Sequence, residues 1–154
     1  MNTLPLKMDI EATLVSTPLR FKIQVEDVTL YDNEIAEQQS VIEVDIPDSI
    51  DYSLFTLKLE LYGKTDEHSV MENGISNTAS ITINTLSIDD LSLIGVDGVS
   101  GGIHHTMKYT HDYNGSAEKV TEPFTNHMGC NGVQTIVMYT PMHICLYEYN
   151  NLFL

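Results

Sequence analysis

The sequence predicts an all-β fold, an antiparallel β-sandwich of jelly-roll or Greek-key type with an N-terminal arm. Three observations lead there. Apolar residues recur at every second position in several short runs, turn-forming residues separate those runs, and no run repeats at the spacing of an amphipathic helix. At 154 residues the chain suits one domain. Residues 1–18 are expected as the arm and residues 19–154 as a single sandwich domain.

Phe21, Ile23 and Val25 alternate with Lys22, Gln24 and Glu26, the pattern of a half-buried strand. Tyr31-Asp32-Asn33-Glu34 is expected as its turn, because Asp and Asn side chains bond their own backbone. Ile42, Val44 and Ile46 alternate with Glu43 and Asp45 up to Pro47, which has no amide hydrogen to donate and ends the ladder. Phe55, Leu57, Leu59 and Leu61 form the longest alternating run, so this strand is expected at the centre of a sheet, with Gly63 closing it. Residues 64–77 turn polar around Asn73-Gly74 and are expected as a long exposed loop. Ile81, Ile83, Leu86, Ile88 and Leu91 then read as a strand bent or bulged at Asp89-Asp90. The Gly-rich stretch 95–102 is a surface connection, and His104 to Tyr109, Gln134 to Tyr139 and Met142 to Tyr149 supply further short strands.

Composition narrows the partners. Seven Lys and Arg stand against 22 Asp and Glu, a formal charge of -15, and such a surface repels phosphate backbones and anionic bilayers. Neither nucleic acid nor a membrane is expected as a partner. No stretch approaches the roughly 20 apolar residues that span a bilayer, and the opening residues lack the order of a secretory signal, so synthesis in the cytoplasm is expected. The two cysteines, Cys130 and Cys145, are expected to be free thiols in that compartment.

His104, His105, His111, His127, Cys130, His143 and Cys145 all lie in the last third; His127-x-x-Cys130 and His143-x-Cys145 would suit zinc if they converged as pairs, though the spacing matches no finger. Acidic turns at Asp32-Asn33-Glu34, at Asp89-Asp90 with Asp97, and at Asp112-Tyr113-Asn114-Gly115 offer oxygens to calcium; none fits the EF-hand spacing, and solvated turn carboxylates explain them as well. Cys130 beside His127 is the one nucleophile–base pair to consider, yet Gly129 and Gly132 around it read equally as a turn. No phosphate-binding loop or nucleophile elbow is present, so no enzyme activity and no cofactor are expected, with calcium as a weak alternative.

The termini are unusual. Leu4, Leu6, Met8 and Ile10 form an alternating apolar line, and the chain finishes Leu152-Phe153-Leu154 where ends are ordinarily polar. These ends pack either on their own sandwich or on another subunit. In the second case Leu4, Leu6, Leu152, Phe153 and Leu154 are assembly contacts, and the arm adds a strand to a neighbour's sheet.

Ile23-x-Val25-x-Asp27-x-x-x-Leu30, Leu57-x-Leu59-x-Leu61 and Ala79-x-Ile81-x-Ile83 followed by Ile88-Asp89 resemble the small calcium-dependent, xylan-binding carbohydrate-binding modules over residues 21–93. That resemblance implies a sandwich, glycan binding and calcium, although Ser76-Asn77-Thr78 stands where the family places acidic calcium ligands. Thr110 to Gly115, Met128 to Gly132 and Thr140-Pro141-Met142 are similar in style to small accessory virion proteins of tailed bacteriophages. This second resemblance implies a non-enzymatic structural component of a capsid, neck or tail, located in the virion, present in multiple copies and partnered by other virion proteins. A carbohydrate-binding module attaching a particle or an enzyme to a cell-surface glycan is the alternative.

Overall fold

The computed structural model describes residues 3–72, 74–95, 98–99, 106–112, 118–123 and 125–151. Its first half holds β1 (Leu4–Thr13), β2 (Leu19–Val25), β3 (Val28–Ile35), β4 (Gln39–Ile46) and β5 (Phe55–Tyr62). A 3₁₀ turn, Asp66–His68, precedes β6 (Ser69–Glu72), β7 (Ile75–Thr78), β8 (Ser80–Ile88) and β9 (Leu91–Gly95). The remainder holds β10 (Gly98–Val99), β11 (Lys108–His111), β12 (Val120–Pro123), β13 (His127–Met128), β14 (Gly132–Met138) and the helix α1 (Met142–Asn151).

These strands form two six-stranded sheets and one small hairpin. The first sheet runs β10-β9-β8-β1-β4 with β13 also on β8, the second runs β12-β11-β14-β5-β2-β3, and β6 pairs with β7. All the pairings are antiparallel. The alternation that predicted strands also builds the core: Met8 and Ile10 of β1 and Ile81 and Ile83 of β8 are buried in one cluster with Phe21 and Ile23 of β2 and Leu57, Leu59 and Leu61 of β5. Each such leucine or isoleucine, fully buried, contributes about 1.5–3 kcal/mol relative to exposure. The expected all-β antiparallel sandwich is therefore the fold, with β5 flanked on both sides, as expected of a strand at the centre of a sheet.

Residues 4–13 do not stand free as an arm. They form β1, seated between β4 and β8, with Leu4 opposite Ile46 and Leu6 opposite Ile88. Leu4 is 8% exposed and Leu6 1%, and both belong to the chain's own core. Leu152, Phe153 and Leu154 lie outside the described residues, as do Asp97, Asn114, His104 and His105.

Local structure departs from expectation at four places. The first hairpin turns at Glu26-Asp27, with Glu26 at φ 51°, and Tyr31 to Glu34 continue as β3, a polar edge strand. Asp89-Asp90 is a two-residue hairpin turn between β8 and β9; both residues are left-handed, at φ 53° and 63°, a conformation that Asp tolerates. The polar stretch 64–77 contains the 3₁₀ turn and the β6–β7 hairpin, which closes beside Gly74 at φ 78°. Met142 to Tyr149 is helical. Met142 and Cys145 are buried and Leu146 and Tyr149 half-buried, an i, i+3, i+4, i+7 stripe that packs on the core and is obscured in sequence by the apolar Ile144 and Tyr147 on the exposed side.

Gly132 marks a close approach of β14 to β11. A Cβ there would sit 2.5 Å from the Thr110 carbonyl oxygen and 2.6 Å from His111 Cβ, whereas one at Gly129 meets nothing nearer than the His127 ring at 3.5 Å. Gly132→Ala is expected to destabilise the fold by about 1–3 kcal/mol in urea unfolding, with Gly129→Ala within about 0.5 kcal/mol of the natural chain.

Candidate functional site

Three surfaces carry most of the chemistry, and strand alternation places each. On β1 the inward Leu4, Leu6 and Met8 leave Pro5 and Lys7 outward; on β4 the inward Ile42 and Ile46 leave Glu43 and Asp45 outward. Beside them the β8–β9 turn presents Asp90, and its Asp89 N–H donates to the Pro5 carbonyl at 2.8 Å, fixing the turn against β1. Pro5, Lys7, Glu43, Val44, Asp45, Ser87 and Asp90 line a shallow groove of about 440 Å³. Lys7 Nζ stands 3.7 Å from Glu43 Oε1 across it. Three carboxylates, one ammonium and one hydroxyl around an apolar floor can accept and donate hydrogen bonds to a polyhydroxylated ligand.

The outer face of the second sheet is different. Arg20 Nε donates to the Tyr62 hydroxyl at 2.9 Å, that hydroxyl donates to Asp32, and Arg20 also lies 3.4 Å from Asp32 and 3.8 Å from Glu34. Lys22 pairs with Glu60 at 3.3 Å, and both Arg20 and Lys22 stand 5.4 Å from the centre of the Tyr62 ring. The Tyr62 hydroxyl first, then Arg20 and Lys22, hold the Asp32 carboxyl below its usual range. Next to this closed network Lys58, Thr135 and Lys108 lie directly opposite one another on β5, β14 and β11.

The third surface is a polar clasp at one end of the sandwich. Asn131 Oδ1 accepts the Lys64 N–H at 2.7 Å while its Nδ2 donates to the Lys64 carbonyl at 2.8 Å and lies 3.4 Å from Asp112. Lys64 Nζ donates to the Gly129 carbonyl, and the Tyr109 hydroxyl donates to the Cys130 carbonyl at 2.8 Å. Burial pushes the Lys64 ammonium down and the Tyr109 phenol well up. Buried His111 contacts Glu122 at 2.9 Å. These partners lock the 129–131 segment to β11 and the end of β5, which is a holding role.

The sequence candidates separate in space. His127 is exposed on β13, its Nδ1 3.3 Å from Thr82 Oγ1, while His143 and Cys145 are two positions apart on a helix and so point to different sides. Cys130 is half-buried, Cys145 is buried, and the two are not joined in a disulfide. Among the described residues no group of three or more His, Cys, Asp or Glu is arranged to hold a metal ion. Among the described residues, Asn77 and Thr78 of β7 bring no carboxylate to the place where the carbohydrate-binding resemblance implies calcium. Sequence reasoning missed His68, which is buried in a polar run: its Nδ1 accepts the Thr65 N–H at 2.9 Å, and its Nε2 donates to the Pro18 carbonyl at 3.0 Å, tying the 3₁₀ turn to the start of β2.

Asp32 gives a pH dependence with a fixed sign. Its folded carboxyl titrates below the ordinary value of 3.8, so its contribution to stability is fully present above that pH and is lost as pH falls through the lowered value. The Tm advantage of the natural chain over Asp32→Asn is expected to be full near about pH 5 and to shrink as the pH is lowered toward about 2, followed by circular dichroism melts.

No protein-family model and no curated protein matches the sequence. Among solved structures the chain is similar to a carbohydrate-binding module, vCBM60 in complex with galactobiose, with a TM-score of 0.54 and 7% identity over 86% of this chain and 96% of that one. The likeness is one of fold, a β-sandwich in both.

Proposed function

We propose that this chain is a non-catalytic module that binds a neutral saccharide in the groove between β1, β4 and the β8–β9 turn. The observation that supports this reading is the likeness, across most of both chains, to a module whose structure holds galactobiose. The groove suits that ligand class: Glu43, Asp45 and Asp90 accept from hydroxyls, Lys7 donates, and Pro5 offers an apolar surface to a sugar ring. Its carboxylates repel anionic ligands. The proposed role is attachment of a larger body to a glycan. A tailed-phage particle, in which this chain would be repeated beside other virion proteins, is the proposed carrier, on the strength of the turn stretches read from the sequence.

Titration calorimetry of the purified chain with galactobiose and with xylan oligosaccharides tests the reading. Binding is expected for at least one of them, weakened about tenfold or more in Asp45→Ala and in Asp90→Asn with Tm held, because each loses a charge-assisted hydrogen bond. Asn is chosen at Asp90 because it accepts the left-handed backbone there. Absence of binding to any neutral oligosaccharide would overturn the proposal.

A further inference from the structure

The charges of this chain are unevenly placed. Arg20, Lys22, Lys58 and Lys108, four of its seven Lys and Arg, sit at outward positions of the second sheet. The first two are neutralised there by Asp32, Glu34 and Glu60. Among the described residues neither Lys58 nor Lys108 is in an ion pair, and they flank one hydroxyl: Lys58 lies opposite Thr135, and Thr135 opposite Lys108. Two steps across a sheet separate the two ammonium-bearing strands by about 9.6 Å. Gln24 lies beside Lys58 and Pro123 beside Lys108; the next line holds Val133, Thr110 and Thr121 together with Glu60, whose charge is taken up by Lys22.

We propose that this row is a second binding surface, separate from the groove, and that its ligand is a carboxylated polysaccharide. The paired cations of the same sheet are already satisfied, so Lys58 and Lys108 are the two that gain by meeting an anion. Their spacing across three strands suits carboxylates on alternate residues of an extended sugar chain, with Thr135 between them for a hydroxyl. The overall charge of -15 selects against denser polyanions. A nucleic acid carries about one charge per 1.7 Å of duplex and brings most of them against acidic surface, while a uronate chain carries one per sugar and can meet the row with few. Screening over about 8 Å at physiological salt keeps the distant carboxylates from cancelling this local attraction.

The test compares polygalacturonate with the same polymer after full methyl esterification, which removes the charge and keeps the backbone. Affinity electrophoresis and calorimetry with the full chain are expected to show binding to the acid form and none to the ester. Lys58→Gln and Lys108→Gln should each weaken it about threefold, and the double change about tenfold, while Asp45→Ala in the groove leaves it unchanged. Equal binding of the ester, an unaffected double variant with an unaltered Tm, equal binding of single-stranded DNA, or no binding to polygalacturonate would overturn the assignment. Because the groove has its own ligands and variants, loss of one reading leaves the other standing.

Discussion

Leu59 of β5 lies between Ile23 of β2 and Gln134 of β14, and this row holds only while three strands distant in sequence keep one register. The neighbouring rows repeat the demand: Val25, Leu57 and Ile136 form one, Phe21, Leu61 and Gly132 another. A slip of one residue would turn Lys58 and Glu60 into the core and the leucines into water. Gly132 belongs to the same constraint, since the absence of a side chain lets β11 close on β14. Gln134 is the one polar member of these rows. It is fully buried, and its amide donates to the Thr125 carbonyl at 2.6 Å, so the polar residue anchors the segment that leads into β13.

The register also decides what faces outward. Because alternation is strict on β1, β2 and β5, residues that look like mere spacers between hydrophobic positions are the ones that make the two outer faces. One face gathers carboxylates around Lys7; the other gathers the guanidinium and three ammonium groups. Surface chemistry and core packing are two readings of the same period, and a change that moves one moves the other.

This explains how much the sequence revealed. Strands at Phe21 to Val25, Ile42 to Ile46 and Phe55 to Leu61 were legible because one face is dry and the other wet, which writes the period of two directly into residue types. β3 was not legible. As an edge strand it faces water widely, and its Asp32-Asn33-Glu34 resembles a turn because edge strands and turns share polar composition. The helix was hidden for the opposite cause, with apolar residues on both its buried and exposed sides. The groove and the lysine row were out of reach, since both arise from strands brought together by pairing: Lys58 and Lys108 are fifty positions apart, and nothing local marks them as neighbours. The buried His68 and the Asn131 clasp were likewise invisible, each being defined by partners from distant loops.

The place of β14 has a consequence for how the molecule comes into being. Among the described strands it comes latest in the chain, yet it occupies the middle of its sheet, with β5 on one side and β11 on the other. While the ribosome is still adding the residues before Gly132, β5 therefore has a bare flank of backbone amides and carbonyls beside the apolar side chains of Phe55, Leu57, Leu59 and Leu61. Pairing on that flank waits for Gly132–Met138, so chains that stop short of this strand expose an adhesive seam that its arrival conceals, and chaperone engagement should concentrate on that interval of synthesis.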